Sequence, residues 1–301
     1  MNMISTKQLL YFDAVARLKH FGRAAEERAV TQPALSMQIQ EMERELGVAL
    51  VERGRTIRLT DAGAEIAARV AAILQQIDGL SDFASQRQGV LTGRLRLGVI
   101  PSIAPYLLPS VLPELQGRYP HLELRIRETL TEYLLAQLED GTLDVALLAL
   151  PVDAAGLETI ALFEDRFLLA TAVDAPRAKR KRARTDALDD APLLLLEEGH
   201  CLREQALSFC SLRSTDNADS FGASSLSTLV QMVASGMGQT LLPEMSVGLE
   251  AARNDVRVMR FENPEPSRTV GLAFRKTSPL KADFEALGTV IADTQPAPAK
   301  I

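Results

Sequence analysis

The pattern of apolar residues changes near residue 94, and no other feature of the sequence constrains the fold as strongly. Before that point apolar residues recur every three or four positions, a spacing that predicts one helix after another. After it, predicted strands and helices alternate in a β-α-β-α-β order as far as residue 150. Such an order indicates a parallel sheet with helices on both faces. We therefore expect an all-α N-terminal part followed by an α/β part.

Two short helices joined by a tight turn are predicted within the first fifty residues. The second helix follows Thr31, a favourable N-cap residue, carries Pro33 in its first turn and ends at Gly47. This is the helix-turn-helix arrangement, in which the second helix enters the major groove of DNA. The candidate DNA contacts at the start and on the exposed face of this helix are Thr31, Gln32, Pro33, Ser36 and Gln40.

A predicted hairpin over residues 51–60 follows directly and is rich in arginine. Beside a helix-turn-helix, a basic hairpin indicates a wing that contacts phosphates and positions the protein without reading the base sequence. An ordinary solvated hairpin is the alternative. The candidate phosphate contacts are Arg53, Arg55 and Arg58.

Apolar residues then recur at heptad spacing along a long predicted helix. The heptad seam consists of Ile66, Val70, Ile73, Ile77, Leu80 and Ala84. A seam of this length predicts a dimerising coiled coil. Packing of the helix on its own domain is the alternative. Residues 88–93 contain two glycines and indicate a hinge after this helix.

The two cysteines, Cys201 and Cys210, lie nine positions apart, and helix-forming residues follow the first. A helix that begins near Cys201 places its N-terminal partial positive charge beside the sulfur, and with His200 and Arg203 it favours the reactive thiolate. Nine helical residues separate the two Cα atoms by about 13 Å, whereas a disulfide requires about 4.4–6.8 Å. The cysteines are therefore either unrelated, as small buried apolar residues, or can be bridged only when this helix unfolds.

Composition limits the functions that this chain can have. The net charge of −6 by itself argues against binding to nucleic acid. Residues 1–90, however, contain 11 Lys or Arg and 11 Asp or Glu, so the acidic excess lies after residue 90. No apolar run approaches a membrane span, and the first residues lack the order of a signal peptide. We therefore expect a cytoplasmic protein, in which disulfides are rare and usually catalytic or redox-sensing. The two cysteines and the one histidine in their stretch, His200, are too few for a closed zinc site, so metal binding is a poor hypothesis. The basic run at residues 177–184 is attributed to a solvated loop, with attraction to DNA as the alternative.

Four motifs resemble those of the LysR-type transcriptional regulators, and the resemblance extends over nearly the full length. They are residues 21–25 (FGRAA), 31–36 (TQPALS), 43–47 (ERELG) and 59–63 (LTDAG). Within that family the chain is most similar to the OxyR group of peroxide sensors. The residues that carry this second resemblance are 199–203 (GHCLR) with Cys210, 100–102 (IPS), 105–109 (PYLLP) and 265–269 (EPSRT).

The resemblance implies an all-α winged helix-turn-helix followed by an α/β, two-lobed effector domain like a periplasmic binding protein. On this basis we expect residues 1–62 to bind DNA and residues 63–93 to form a linker (dimerisation) helix and hinge. Residues 94–301 form the redox-sensing regulatory domain. Its lobe I comprises about 94–165 and 268–301, and its lobe II about 166–267. A homotetramer, built as a dimer of dimers, is implied as well.

The resemblance also implies roles for individual residues. Cys201 matches the peroxidatic cysteine and Cys210 the resolving one, while Arg268 is expected near the thiolate. The positions that hold peroxide are matched by Ser102, Thr131, Gly199 and His200. Ser102 replaces the threonine of well-known members but keeps the hydroxyl. Met37 stands where many relatives carry arginine.

The implied function is that of a DNA-binding regulator of oxidative-stress genes rather than an enzyme. The Cys201 thiolate attacks hydrogen peroxide and becomes a sulfenic acid, and Cys210 then condenses with it to a disulfide. The implied partners are double-stranded promoter DNA, hydrogen peroxide, RNA polymerase and a thiol reductant such as glutaredoxin or thioredoxin. No cofactor, metal or membrane is expected.

One alternative is a LysR-type regulator that senses a metabolite between its lobes, with incidental cysteines. Another is a thiol peroxidase, which the helix-turn-helix disfavours.

Overall fold

The computed structural model describes residues 4–52, 54, 57–86, 89–175, 182–184, 191–210, 222–253 and 255–295. The chain divides into two compact units, residues 1–84 and residues 85–301. The first unit has one apolar core and the second unit has two. Among the described residues, no helix combines the length and the apolar character needed to cross a membrane.

The first unit contains the predicted helix-turn-helix and hairpin. Its elements are α1 (Thr6–Leu18), α2 (Phe21–Glu27), α3 (Gln32–Leu46), β1 (Val51–Glu52), β2 (Arg58–Leu59) and most of α4 (Asp61–Gln86). Thr31 is the N-cap of α3, although its side chain makes no capping hydrogen bond, and Gly47 ends the helix in the left-handed conformation with φ 71°. β1 and β2 form an antiparallel pair. The helices pack around Phe12, Leu35 and Ile39, which are fully buried.

Helix α4 carries the heptad seam, and the seam divides into two parts. Val70 is buried in the core of the first unit, and Ile66 packs against that core. Farther along, Ile73, Ile77 and Leu80 are 43%, 36% and 70% exposed. The side chain of Ala84 lies outside the described residues. Packing on its own domain therefore accounts for the start of the seam and leaves its later part uncovered within this chain.

The second unit is an α/β structure. Its strands are β3 (Gly93–Val99), β4 (Leu122–Glu128), β5 (Val145–Leu150), β6 (Leu157–Ala172), β7 (Leu195–Leu196), β8 (Gly222–Ala223), β9 (Gln239–Pro243), β10 (Val256–Arg260) and β11 (Ser267–Arg275). Its helices are α5 (Ala104–Arg118), α6 (Thr131–Glu139), α7 (Cys201–Cys210), α8 (Leu226–Ala234), α9 (Glu244–Glu250) and α10 (Lys281–Asp293), with a 3-10 turn at Ala251–Arg253.

The parallel arrangement predicted for the first three strands is confirmed. β3 lies between β4 and β5 and is parallel to both. β11 then joins β5 in the antiparallel direction, so the sheet is mixed. We expected helices to cover both faces of the sheet, but at β4 the side chains from Arg125 onward are exposed. β4 lies at the edge of the sheet, and this explains its exposure.

The two apolar cores of the second unit define two lobes. The first lobe is built on β3, β4, β5, α5, α6 and α10, and the second on β7 to β10 with α7 and α8. β6 belongs to both: its first half pairs with β11, and its second half pairs with β9 and β10. The sequence itself indicates a strand only at residues 167–171 of this 16-residue element, because the polar stretch before Phe167 does not resemble a buried strand. Strands β9 to β11 and helices α9 and α10 were not predicted either.

The basic run at residues 177–184 lies mostly outside the described residues. Within it, Arg182 is exposed, and its Nη1 donates to the carbonyl oxygen of Phe261 at 2.9 Å.

Candidate functional site

Helix α7 begins at Cys201, as predicted, and this places the positive end of the helix dipole at the cysteine. The chain enters the helix through Gly199, whose φ of +89° favours glycine, and a Cβ there would approach Leu130 Cδ1 to 3.1 Å. Cys201 is half-buried and its thiol is free. The thiol is therefore both partly accessible and next to a local positive potential, which is the environment of a reactive cysteine.

Three loops meet at Cys201 and enclose a small cavity. One follows β3, one precedes α6 and one precedes α7, and the first two lie beyond the carboxyl ends of the parallel strands β3 and β4, where α/β proteins commonly bind ligands. The cavity volume is about 10 Å³, close to the space of one water molecule. The lining residues are Ile100, Pro101, Ser102, Leu130, Thr131, Gly199, His200, Cys201 and Leu202. The structure thus brings together Ser102, Thr131, Gly199 and His200, the four positions matched to peroxide.

The cavity contains a hydroxyl group that lacks a partner. Thr131 Oγ1 is buried and has no hydrogen-bond partner among the described residues. A buried polar group left in this state costs about 1–3 kcal/mol. A small molecule able to donate or accept a hydrogen bond would remove that cost. The cavity is therefore suited to a very small polar ligand.

His200 supplies a neutral donor and acceptor at the same cavity. Burial lowers the pKa of His200 below its ordinary value, an effect that the nearby Glu197 carboxylate only partly opposes. The imidazole is therefore neutral near pH 7. This corrects the expectation that His200 adds positive charge beside the sulfur.

Arg203 is held at the start of α7 by a contact with the backbone. Its Nη1 donates to the carbonyl oxygen of Leu196 at 3.2 Å and thereby ties the first turn of α7 to β7. The helix N-terminus lies directly at Cys201, and so it is a source of positive potential that the geometry supports.

Arg268 does not line the small cavity, but it contacts Ser102, which does. Its side chain is 0% exposed, and its Nη1 donates to Ser102 Oγ at 2.8 Å and its Nη2 to the Ser102 carbonyl oxygen at 3.0 Å. Arg268 also lines a second, open cleft of about 660 Å³ that includes Cys201 and Thr131. Cys201 therefore lies where a small closed cavity and a large open cleft meet.

The other end of α7 carries Cys210, the predicted resolving cysteine. Its side chain lies outside the described residues. The continuous helix from Cys201 to Cys210 places the two residues about 13 Å apart. Leu202 and Ala206 are buried in the second core, and the ring of Phe209 packs edge-on against Phe261 with centroids 5.4 Å apart. Bridging the cysteines therefore requires these contacts to be broken.

The predicted DNA contacts in the first unit are accessible where the structure describes them. Leu35, Ile39 and Met42 turn one face of α3 into the core, and the opposite face and the helix start are open. Thr31, Gln32, Pro33 and Gln40 are exposed and Ser36 is half-buried. Arg58 of the hairpin is exposed, while Arg53 and Arg55 lie outside the described residues.

Sequence reasoning missed Asp165, which forms a buried ion pair with Arg268 at 3.0 Å. Asp165 stands between Glu164 and Arg166, and this charged triplet resembles a solvated turn. No local signal distinguishes its buried middle residue. In the part of the chain that the structure describes, no group of three or more His, Cys, Asp or Glu is arranged to hold a metal ion.

Two family models match the chain. One, described as the LysR substrate binding domain, covers residues 88–296, and the other, described as a bacterial regulatory helix-turn-helix protein of the lysR family, covers residues 6–64. The chain is 41% identical to the DNA-binding transcriptional dual regulator OxyR of Escherichia coli K12 over 289 residues, which is 96% of this chain and 95% of that protein. It is 40% identical over 291 residues to the hydrogen peroxide-inducible genes activator of Pectobacterium carotovorum, covering 96% of each.

Solved structures give the same result. A full-length OxyR variant from Pseudomonas aeruginosa matches with a TM-score of 0.77 at 35% identity, covering 96% of this chain and 98% of that one. A hydrogen peroxide-bound OxyR mutant from Corynebacterium glutamicum matches with a TM-score of 0.69 at 35% identity, covering 97% and 93%.

Proposed function

This chain belongs to the LysR family of bacterial regulators, and on that premise we propose that it senses hydrogen peroxide through Cys201 and regulates oxidative-stress genes. The observation that carries the proposal is the cavity at Cys201, which has room for a very small polar molecule and an unpartnered buried hydroxyl at Thr131. The names of the similar proteins, which include hydrogen peroxide-inducible activators, support the same ligand.

The first chemical step uses the groups that surround the cavity. The Cys201 thiolate, favoured by the start of α7, attacks one peroxide oxygen, and the O–O bond breaks as the S–O bond forms. Hydroxide leaves and takes up a proton to become water, and the sulfur becomes a sulfenic acid. Hydrogen bonds from Ser102, Thr131 and His200 hold the peroxide and stabilise the charge that develops on the leaving oxygen. Arg268 acts through Ser102.

The second step joins the two cysteines. The Cys210 thiol displaces hydroxide from the sulfenic acid, releasing water and forming the disulfide. Because α7 keeps the cysteines apart, this step needs local opening of the helix and release of its contacts at Leu202 and Phe209. Closing the loop in the opened segment costs about 3 kcal/mol of chain entropy, and the packing lost from α7 adds to that cost. The reduction potential of the Cys201–Cys210 disulfide should therefore be less negative than about −300 mV, so that glutaredoxin or thioredoxin can reduce the bond.

The output of the switch is a change in binding to double-stranded promoter DNA. Helix α3 enters the major groove, and the arginine-rich hairpin contacts phosphates. The later part of the α4 seam, with Leu80 70% exposed, supports a coiled-coil dimer, from which a tetramer of two dimers can be built. We infer a division into residues 1–62, 63–93 and 94–301, a cytoplasmic location, contact with RNA polymerase at activated promoters, and regulation rather than peroxidase turnover as the activity.

A regulator that senses a metabolite is the second candidate, and the open cleft of about 660 Å³ beside Cys201 favours it. Such a protein would retain ligand-dependent DNA binding after replacement of Cys201 and would be indifferent to peroxide. A screen of Cys201→Ser for ligands that change its promoter footprint separates the two candidates.

The decisive experiment is labelling of sulfenic acid in the Cys210→Ser protein after limited peroxide. We expect label at Cys201, loss of the label in the Cys201→Ser, Cys210→Ser double variant, and a change in the promoter footprint of the wild-type protein on oxidation. Absence of label with an unchanged footprint would contradict peroxide sensing.

The DNA-binding part has a separate test. Replacement of Arg58 by Ala should weaken binding to specific and random DNA alike and reduce the salt slope by about one unit. Replacement of Gln32 by Ala should change sequence preference instead. Arg257→Ala, at an exposed position of β10, serves as the control. Equal losses of affinity for specific and random DNA in Gln32→Ala would contradict the assignment of α3 as the recognition helix.

A further inference from the structure

The two strands that connect the lobes carry a buried ion pair at the point of crossing. Asp165 of β6 and Arg268 of β11 are direct neighbours across the antiparallel ladder. Their side chains are 2% and 0% exposed. Removing two charges from water costs several kcal/mol per ion, and well-packed apolar residues often give an equal or greater stability. Stability alone therefore does not account for this pair.

The Asp165 carboxylate is held from two directions. Its Oδ2 accepts a hydrogen bond from Arg268 Nε at 3.0 Å and lies 3.0 Å from Arg268 Nη2, and its Oδ1 accepts a hydrogen bond from the Met245 backbone N–H at 3.1 Å. Burial raises the pKa of Asp165, while the Arg268 charge and the Met245 N–H oppose that rise. The pair thus joins both crossing strands to the first turn of α9.

The guanidinium of Arg268 is fixed by these contacts in one orientation. Nε is directed at Asp165, and the two terminal nitrogens are directed at the side chain and the carbonyl oxygen of Ser102. The ring of Phe167 lies 6.0 Å from the guanidinium carbon. A planar guanidinium with both ends engaged cannot rotate without breaking several hydrogen bonds at once.

This orientation decides how the Ser102 hydroxyl is used. Arginine can only donate, so Ser102 Oγ accepts the hydrogen bond from Arg268 Nη1. The hydroxyl hydrogen of Ser102 is then available for donation into the cavity that Ser102 shares with Cys201.

We propose that Asp165 is a positioning residue for the peroxide reaction, which orients Arg268 so that the Ser102 hydroxyl donates to the leaving peroxide oxygen. The inference rests on the proposed function and adds a residue to it. Asp165 itself touches neither peroxide nor sulfur, so its effect must pass through Arg268 and Ser102.

The same unit contains a matched pair that is remote from the cavity. Asp144, with a side chain 4% exposed, accepts hydrogen bonds from Arg96 Nη2 at 2.7 Å and from Arg96 Nε at 3.0 Å. Neither residue lines the small cavity or the open cleft. Asp144→Asn therefore makes the same chemical change to a buried Arg-paired aspartate without reaching the site.

The test compares two reactions of Cys201 in full-length protein carrying Cys210→Ser. Rates of oxidation by hydrogen peroxide and of alkylation by iodoacetamide are measured from pH 5 to 9.5 for the parent, Asp165→Asn and Asp144→Asn. Alkylation needs the thiolate but no donor to a leaving oxygen, so it reports structural damage and thiolate content. We expect Asp165→Asn to lower the plateau peroxide rate about 10- to 100-fold, as for a misplaced catalytic group, with the plateau alkylation rate within about twofold of the parent. Asp144→Asn should change neither rate.

A double-variant cycle completes the test. Arg268→Lys should lower the peroxide rate to a similar extent, and adding Asp165→Asn to it should lower the rate no further, since both act through Ser102. Where Asp165→Asn does not fold, Asp165→Glu, which keeps the charge but displaces it, should give a smaller loss of the same kind. An unchanged peroxide rate, equal losses in both reactions, or additive losses in the cycle would each overturn the inference. A parent protein that does not react with peroxide at all would instead refute the proposed function.

Discussion

Helix α7 and the parallel strands β3 and β5 belong to the same unit but are held in different ways. Every residue of β5 from Val145 to Ala149 is buried, and Leu97 and Val99 of β3 are buried as well. Among the side chains of α7 that the structure describes, only Leu202 and Ala206 are buried, while Cys201, Leu207 and Phe209 are half-buried. Local stability follows buried apolar contacts. Cys201, the proposed redox cysteine, therefore lies on an element that we expect to open while the sheet beside it remains folded.

The largest expected effect is the difference in lost stability between a core mutation in β3 and one in α7. Leu97→Ala should lower the free energy of unfolding by about 2–5 kcal/mol, since it leaves a cavity in the central strand of the first lobe. Leu202→Ala should act mainly on α7, with a smaller global loss and faster disulfide formation after peroxide. Urea denaturation and hydrogen exchange of both variants measure these effects. Equal global losses would show that α7 and the sheet unfold as one unit.

The next effect is the response to oxidation. Formation of the disulfide should raise amide exchange in α7 by about 100-fold, the factor for about 3 kcal/mol of lost local stability. Exchange in β3 and β5 should stay within about twofold. The rise is expected across residues 197–221, of which 211–221 lie outside the described residues. Mass spectrometry of reduced and oxidised protein provides the measurement, and identical exchange in α7 would show that the switch mechanism is wrong.

A smaller effect tests how tightly the sheet is packed. A Cβ at Gly98 of β3 would lie 2.4 Å from Leu134 Cδ2 and 2.6 Å from Leu143 Cδ2. Gly98→Ala should therefore cost about 1–3 kcal/mol of stability. Gly248→Ala in α9, where a Cβ meets nothing within 4 Å, is the control and should be neutral or slightly stabilising. A stable Gly98→Ala protein would indicate that α6 can move away from the sheet.

The smallest effect is a pH dependence confined to the start of α7. The folded state lowers the pKa of His200, so the opened segment binds more protons than the folded one as pH falls below about 6.5. The stabilisation from the neutral imidazole is present above that pH and is lost as pH falls through the folded-state pKa. Protection factors of α7 should drop a few-fold between pH 7 and 5, those of β3 and β5 should not, and His200→Gln should abolish the drop. An unchanged drop in His200→Gln would assign it to another group.

Local signals in the sequence determined the elements that carry function. Apolar spacing placed α3 and α4, the β-α-β-α-β order placed β3 to β5, and helix-forming residues after Cys201 placed the start of α7. The motifs matched to the family named Ser102, Thr131, Gly199 and His200, which the structure brings to one cavity. The helices and strands depend on interactions within a few residues along the chain and are visible in the sequence, whereas the four cavity positions came from the family resemblance.

Only the tertiary structure decided how the site is supported. Asp165 meets Arg268 because β6 and β11, 103 positions apart at these residues, are neighbours at the crossing between lobes. The same folding buries His200 enough to keep it neutral and leaves Thr131 Oγ1 without a partner. Pairing between distant strands and the loss of solvent around a side chain depend on the whole fold. No local pattern encodes them, because the residues concerned become neighbours only after the chain has folded.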